Sequence, residues 1–119
     1  MDRDHAEIAA ALRKLIAAVR ADDLEESQRL TDALISRVIA HFQLEKKLME
    51  EISFPFIVRH RDAHVSFLVG AQRALADMRS TGLTTECLRW TSETMGWFRR
   101  HVLTEDIALS RALAGRTFQ

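Results

Sequence analysis

Tyrosine is absent from this chain of 119 residues, cysteine and proline occur once each, glycine occurs four times, and the net charge is zero with neutral histidines. The single cysteine, Cys87, excludes a disulfide within the chain, fits a reducing compartment, and is expected to be a small buried apolar residue. Because basic and acidic residues balance, neither nucleic acid nor an anionic membrane is an expected partner. With no bilayer-spanning apolar run and no secretory signal, we expect a cytoplasmic protein.

Glycine and proline are too scarce to interrupt long helices, and the apolar residues recur at spacings of three and four along most of the chain. This pattern predicts four amphipathic helices in one all-α domain over residues 1–119. The inner face of the third helix is expected to start at Phe56. We expect the helices at about Arg3–Arg20, from an Asp23 cap to about Ile52, from about Pro55 to an end at Ser80-Thr81-Gly82, and from Thr84 or Thr85 to about Ile107.

Five histidines and Glu45 stand at positions where these helices should bury apolar residues, and a second carboxylate, Asp106, follows His101 by five residues. His41 and Glu45 are four residues apart, as are His60 and His64, so each pair lies on one helix face, one turn apart. Imidazoles mixed with carboxylates suit iron, zinc or copper, and seven groups are too many for one ion. The pattern predicts two metal ions bridged by carboxylates, with the ligands His5, His41, Glu45, His60, His64, His101 and Asp106.

The short predicted connections force neighbouring helices to run antiparallel, in an up-down-up-down four-helix bundle. His5 lies about sixteen residues before the first turn and His41 about eighteen after it, so the two reach a similar depth at about 1.5 Å per residue. The same comparison across the other two turns brings the remaining ligands to that depth. All the candidate ligands therefore meet in one slice of the bundle.

A metal is also required by the energetics of burial. Burying several imidazoles and carboxylates without a counter-charge costs several kcal/mol per charged group, against a total stability of about 5–15 kcal/mol. A single buried histidine is usually a hydrogen-bonded core residue. Five histidines at one depth are not explained in that way, whereas bound metal ions supply the missing charge.

An ordered set of four motifs resembles the hemerythrins, in particular the single-domain bacterial ones, over nearly the whole chain. The motifs are Asp2-x-x-His5, His41-Phe42-x-x-Glu45, His60-x-x-x-His64 and Trp97-x-x-x-His101-x-x-x-x-Asp106.

The resemblance implies a non-haem pair of iron ions (Fe2+/Fe3+) with a bridging oxo or hydroxo group. His60, His64 and His101 would hold one iron, and His5 and His41 the other. Two carboxylates, Glu45 and Asp106, would bridge the ions. Family members bind O2 at the open position of the two-histidine iron, reduce it to a bound peroxide, and release it by the reverse step. By position in the family, the apolar lining of the O2 side would comprise Ile8, Phe42, Trp97, Phe98 and Val102.

The Asp106 assignment comes from the family, because five residues on a regular helix turn the side chain about 140° away from His101. Either the last helix contains a π-bulge or bend near Leu103 and Thr104, or Glu105 is the ligand. Both alternatives stay open here, with Asp106 favoured.

Three functions fit such a site: an O2 carrier or store, a sensor of O2, NO or redox state acting through a partner or a lost output domain, and a di-iron peroxidase or NO-detoxifying enzyme. A ferritin-like site is disfavoured because the chain has no Glu-x-x-His motif, and the absence of tyrosine excludes a tyrosyl-radical enzyme. A carrier is favoured since no additional acid, base or second substrate pocket can be identified. We therefore expect a monomeric O2-binding protein, with NO or peroxide as other ligands, and not an enzyme.

Overall fold

The computed structural model describes residues 2–102 and 107–117, and within those residues it contains five α-helices and no strand. The helices are α1 (Asp2–Arg20), α2 (Leu24–Glu51), α3 (Ile57–Ser80), α4 (Thr85–His101) and α5 (Ile107–Thr117). The predicted all-α class is confirmed. None of the described helices combines the length and the hydropathy needed to cross a bilayer.

Two of the helix starts are fixed by side-chain caps. The Asp23 carboxylate accepts a hydrogen bond of 3.1 Å from the backbone N–H of Glu26 at the start of α2. The Thr84 hydroxyl accepts one of 3.1 Å from the backbone N–H of Cys87 at the start of α4. Each cap satisfies a backbone donor that has no partner in the first turn of a helix. The predicted Asp23 cap is confirmed, and of the two threonines Thr84 is the cap.

The start of α3 differs from the prediction. Phe56 is the residue before the helix and is 48% exposed, so the expectation that it begins the buried face is wrong. Ser53 has a φ of 52°, which turns the chain so that Phe54, only 4% exposed, takes the inner place instead. Local spacing did not reveal this exchange, because it depends on a left-handed residue in the connection.

The segment predicted as the fourth helix contains α4 and α5, on either side of residues 103–106, which lie outside the described residues. The α-helix α4 ends at His101. The next residue, Val102, is π-helical. The described part of the chain resumes with α5 at Ile107, and the proposed bend near Leu103 and Thr104 lies outside the described residues. Leu109 of α5 is fully buried, which shows that this segment packs onto the rest of the molecule.

The four long helices form a bundle in which α1 packs on α2 and α4, and α3 also packs on α2 and α4. Their buried apolar side chains form a main cluster, which includes Leu12, Val38 and Ala71. A second, end cluster consists of Met49, Phe54 and Leu109. Along α2, Val38 precedes His41, and Met49 follows Glu45. His41 and Glu45 therefore lie between the two apolar clusters.

Gly70 permits the close approach of α3 and α4. A Cβ atom at Gly70 would lie 2.8 Å from Nε1 and 3.0 Å from Cδ1 of Trp90, whereas one at Gly96 would meet only the Nη1 atom of Arg100, at 3.4 Å. We expect Gly70→Ala to lower the free energy of unfolding by about 1–3 kcal/mol, because the indole must be displaced. Gly96→Ala, the matched control, should be neutral or stabilising by up to about 1 kcal/mol from helix propensity.

Urea unfolding of the two metal-free variants measures this difference. Equal stabilities for Gly70→Ala and Gly96→Ala would contradict the close contact between Gly70 and the Trp90 indole.

Candidate metal centre

The candidate ligands come from four helices and face one another in the interior. His5 lies on α1, two ligands on α2, two on α3 and one on α4. His5 is partly buried and the other described ligands are at most 5% exposed. They form two groups, and within each group one ligand atom per residue lies within 4.8 Å of the others. The groups are His60, His64 and His101, and His5, His41 and Glu45.

The first group is a set of three imidazoles. The Nε2 atoms of His64 and His101 are 3.2 Å apart. The ring of His60 is nearly perpendicular to that of His64, with 4.4 Å between the ring centroids. Because metal–nitrogen bonds are about 2 Å long, two imidazole nitrogens at this separation can share one ion. The donor set therefore fits a first-row transition metal.

The second group combines two imidazoles with a carboxylate. Nε2 of His41 lies 2.6 Å from Oε1 of Glu45, one turn further along α2. The rings of His5 and His41 meet edge to face, with centroids 4.9 Å apart. This group offers two histidines, whereas the first offers three.

Glu45 connects the two groups. Its side chain is fully buried, and its Oε2 atom lies 2.9 Å from Nε2 of His60, while Oε1 faces His41. Oε1 is also 3.8 Å from Nε2 of His64. One carboxylate with an oxygen directed at each group is the arrangement that can bridge two ions.

Asp4 lies beside this site, and the sequence did not identify it as functional. Its Oδ2 atom is 3.2 Å from Nδ1 of His41. This hydrogen bond is the main reason that the pKa of Asp4 is lowered, with smaller contributions from the charges of His41, the chain amino terminus and His5, opposed by partial burial. One signal was present in the sequence, because Asp4 precedes the buried Ile8 by four residues and shares its helix face.

Aromatic side chains hold the first group of histidines in place. Phe42 stacks on the ring of His64 at a centroid distance of 3.5 Å and an angle of 2°. Trp97 stacks on His101 at 4.9 Å and 8°. Two of the residues predicted to line the O2 side are thus in contact with the three-histidine group.

The other three predicted lining residues lie near the second group. Phe98 and Val102 line a cavity of about 310 Å³ between α1 and α4, with His5 on its wall. Ile8 lines a separate cavity of about 690 Å³ that includes His41. The five residues thus line four different cavities in the described part of the chain, and their role on an O2 side stays a prediction.

Asp106, the seventh predicted ligand, lies outside the described residues, as does its alternative Glu105. The six described candidates provide five imidazoles and one carboxylate, and this set fits metal ions of the kind that bind nitrogen and oxygen together.

Comparison with known proteins identifies the family. A family model described as the hemerythrin HHE cation-binding domain matches residues 1–113. Searches of curated proteins and of solved structures found no significant match. The resemblance inferred from the four motifs is confirmed, and the cation-binding character of the family agrees with the two ligand groups. The chain belongs to the hemerythrin HHE cation-binding domain family.

Proposed function

We propose that this protein holds a pair of iron ions and binds O2 reversibly at that pair, as a carrier or store of oxygen. The observation that carries the proposal is the position of Glu45, whose two oxygens face two separate groups of histidines. One ion would not use both groups, and two ions without a carboxylate between them would repel each other at close range.

The proposal includes a single domain over residues 1–119, folded as an antiparallel, up-down-up-down four-helix bundle. Two observations support this topology. Each of the four long helices packs on two others, and the connections between them contain only three to five residues, 21–23, 52–56 and 81–84. Short connections favour antiparallel neighbours.

Each ligand group is assigned to one iron. His60, His64 and His101 would hold the first ion, and His5 and His41 the second, with Glu45 as a bridge. We propose Asp106 as the second bridging carboxylate and a solvent-derived oxo or hydroxo group as the third bridge. When bound, the iron pair supplies the electrons for reversible O2 binding. The second ion has fewer protein ligands, and O2 would bind there.

The surrounding side chains would orient the ligands and exclude water. Phe42 and Trp97 restrict rotation of the His64 and His101 rings by stacking on them. The His5 cavity is lined mainly by apolar atoms, including those of Phe98 and Val102. Limiting water in this cavity would slow the protonation of bound O2 and the irreversible oxidation of the iron pair.

Binding is favoured over catalysis by the chemistry of this cavity. Apart from His5 and two guanidinium groups, Arg13 and Arg99, its described lining contains no carboxylate, hydroxyl or thiol that could transfer a proton. We therefore propose that the protein is not an enzyme, and that it acts as a cytoplasmic monomer. The alternatives are a sensor of O2, NO or redox state that signals through a partner, and a di-iron enzyme that consumes peroxide or NO.

Optical spectroscopy with iron analysis tests the proposal. The protein is loaded with Fe²⁺ without oxygen, and its spectrum is recorded before oxygen, under oxygen and after oxygen is removed. We expect two irons per chain and visible absorption bands that appear with O2 and disappear when it is withdrawn.

The possible results separate the candidate functions. Irreversible oxidation at two irons per chain would favour a redox sensor or an enzyme, and turnover of peroxide or NO would then identify the enzyme. A stoichiometry of one iron or none would overturn the assignment of an iron pair.

A further inference from the structure

Asp4 contacts one of the proposed iron ligands from the side that faces away from the ion. The two ring nitrogens of His41 have different partners: Nε2 faces Glu45 at 2.6 Å, and Nδ1 faces Oδ2 of Asp4 at 3.2 Å. The His41 side chain is 3% exposed, whereas that of Asp4 is 40% exposed. The carboxylate thus reaches a buried ring from the surface of α1.

We propose that Asp4 is a positioning residue, which holds the His41 ring in the orientation and tautomer required for its Nε2 atom to bind the second metal ion. An ionised carboxylate only accepts hydrogen bonds, so the partner nitrogen, Nδ1, must donate. The lone pair of neutral His41 is then on Nε2, which points to the ligand group. Carboxylates that accept a hydrogen bond from a metal-bound histidine raise its basicity and fix its ring.

The place of Asp4 in the sequence gives it a second role in the ligand group of His5, His41 and Glu45. Asp4 directly precedes His5 on α1, while its side chain bonds to His41 on α2. Asp4 therefore links the backbone next to His5 to the ring of His41. Because His5 lies in the first turns of its helix, this link stabilises the end of α1 at the metal site.

The neighbouring acid on the same helix has a different partner. Glu7 forms an ion pair of 2.6 Å with Arg37 and one of 3.5 Å with Arg3. It thus joins α1 to α2 at the surface. Replacing Glu7 removes the same charge from the same helix without removing a hydrogen bond to a ligand, and Glu7→Gln is therefore a matched control for Asp4.

The test is an anaerobic titration of the full chain with Fe²⁺, comparing wild type, Asp4→Ala, Asp4→Asn and Glu7→Gln. We expect Asp4→Ala to weaken the binding of one of the two ions by about 10- to 100-fold, the range found for such partners, and to leave the other ion unchanged. Asp4→Asn should be intermediate, since its amide oxygen still accepts a hydrogen bond but has no charge. Glu7→Gln should retain both wild-type constants.

A second measurement detects the hydrogen bond itself. In the protein loaded with Zn²⁺, a diamagnetic ion that also binds imidazole, the Nδ1–H proton of His41 should give a slowly exchanging NMR signal. The signal should persist in Glu7→Gln and be lost in Asp4→Ala. A change of helix stability alone would not remove the signal of this one proton and leave the others unchanged.

The inference rests on the proposed metal pair but fails separately from it. If the wild type binds fewer than two Fe²⁺ ions, the metal pair is wrong. If the wild type binds two and Asp4→Ala binds both with unchanged constants, or loses affinity equally for both, the role of Asp4 is overturned while the pair stands.

Discussion

Glu45→Ala should abolish paired metal binding and reduce the stoichiometry from two irons per chain to one or none. Glu45 is fully buried and has one oxygen 2.6 Å from Nε2 of His41 and the other 2.9 Å from Nε2 of His60. Its removal deprives both ions of a ligand and leaves their charges without the carboxylate between them. We expect the loss of affinity to exceed about 100-fold, the upper end for residues that only support a ligand. Iron analysis after gel filtration measures the result.

Two further variants test the role of the Glu45 charge and provide a control. Glu45→Gln keeps the size of the side chain but removes the charge, and it should also fail to hold two ions, since an amide is a poor bridging ligand. Glu50→Ala is the control on the same helix, because Glu50 is exposed and, within the described part of the chain, its side chain forms a surface pair of 3.9 Å with Lys46. It should bind two irons as the wild type does. A Glu45→Ala protein that still loads two irons would refute the bridging role.

Removal of iron should lower the melting temperature by on the order of 10 °C. The ligand groups bring five imidazoles and a carboxylate together in the interior, where positive ions compensate the converging nitrogen and oxygen atoms. With free iron at 100 to 1,000 times the dissociation constant, binding to the folded state adds about 3–4 kcal/mol to its stability. For a chain of this size, such a gain corresponds to a shift on the order of 10 °C. Thermal unfolding followed by circular dichroism, without oxygen, measures it.

The identity of the added ion provides the control. Mg²⁺ and Ca²⁺ prefer oxygen ligands and should not restore the melting temperature of the metal-free protein, whereas Fe²⁺ should. Identical melting curves for the iron-loaded and metal-free proteins would show that these buried groups need no metal for stability.

The helices were predictable because their signals are local. Asp23 and Thr84 each accept a hydrogen bond from a backbone donor three residues further along, so caps can be read within a short segment. The spacing of four residues between His41 and Glu45, and between His60 and His64, likewise fixes a shared face without knowledge of other helices. These rules do not apply to the connections between helices. In the connection before α3, Phe54 is buried and Phe56, which was expected to be buried, is exposed.

The sequence alone determined the all-α class and the Asp23 cap, and it predicted a candidate ligand set, because helix periodicity and capping depend on neighbours in the chain. The family resemblance already implied the two ligand groups and the place of Glu45 between them, and tertiary structure supplied the distances within them and the stacking of Phe42 on His64. It also brought Asp4 to His41, a residue 37 positions away. Such contacts depend on how two helices rotate and slide against each other, and side-chain packing across the whole core sets that geometry.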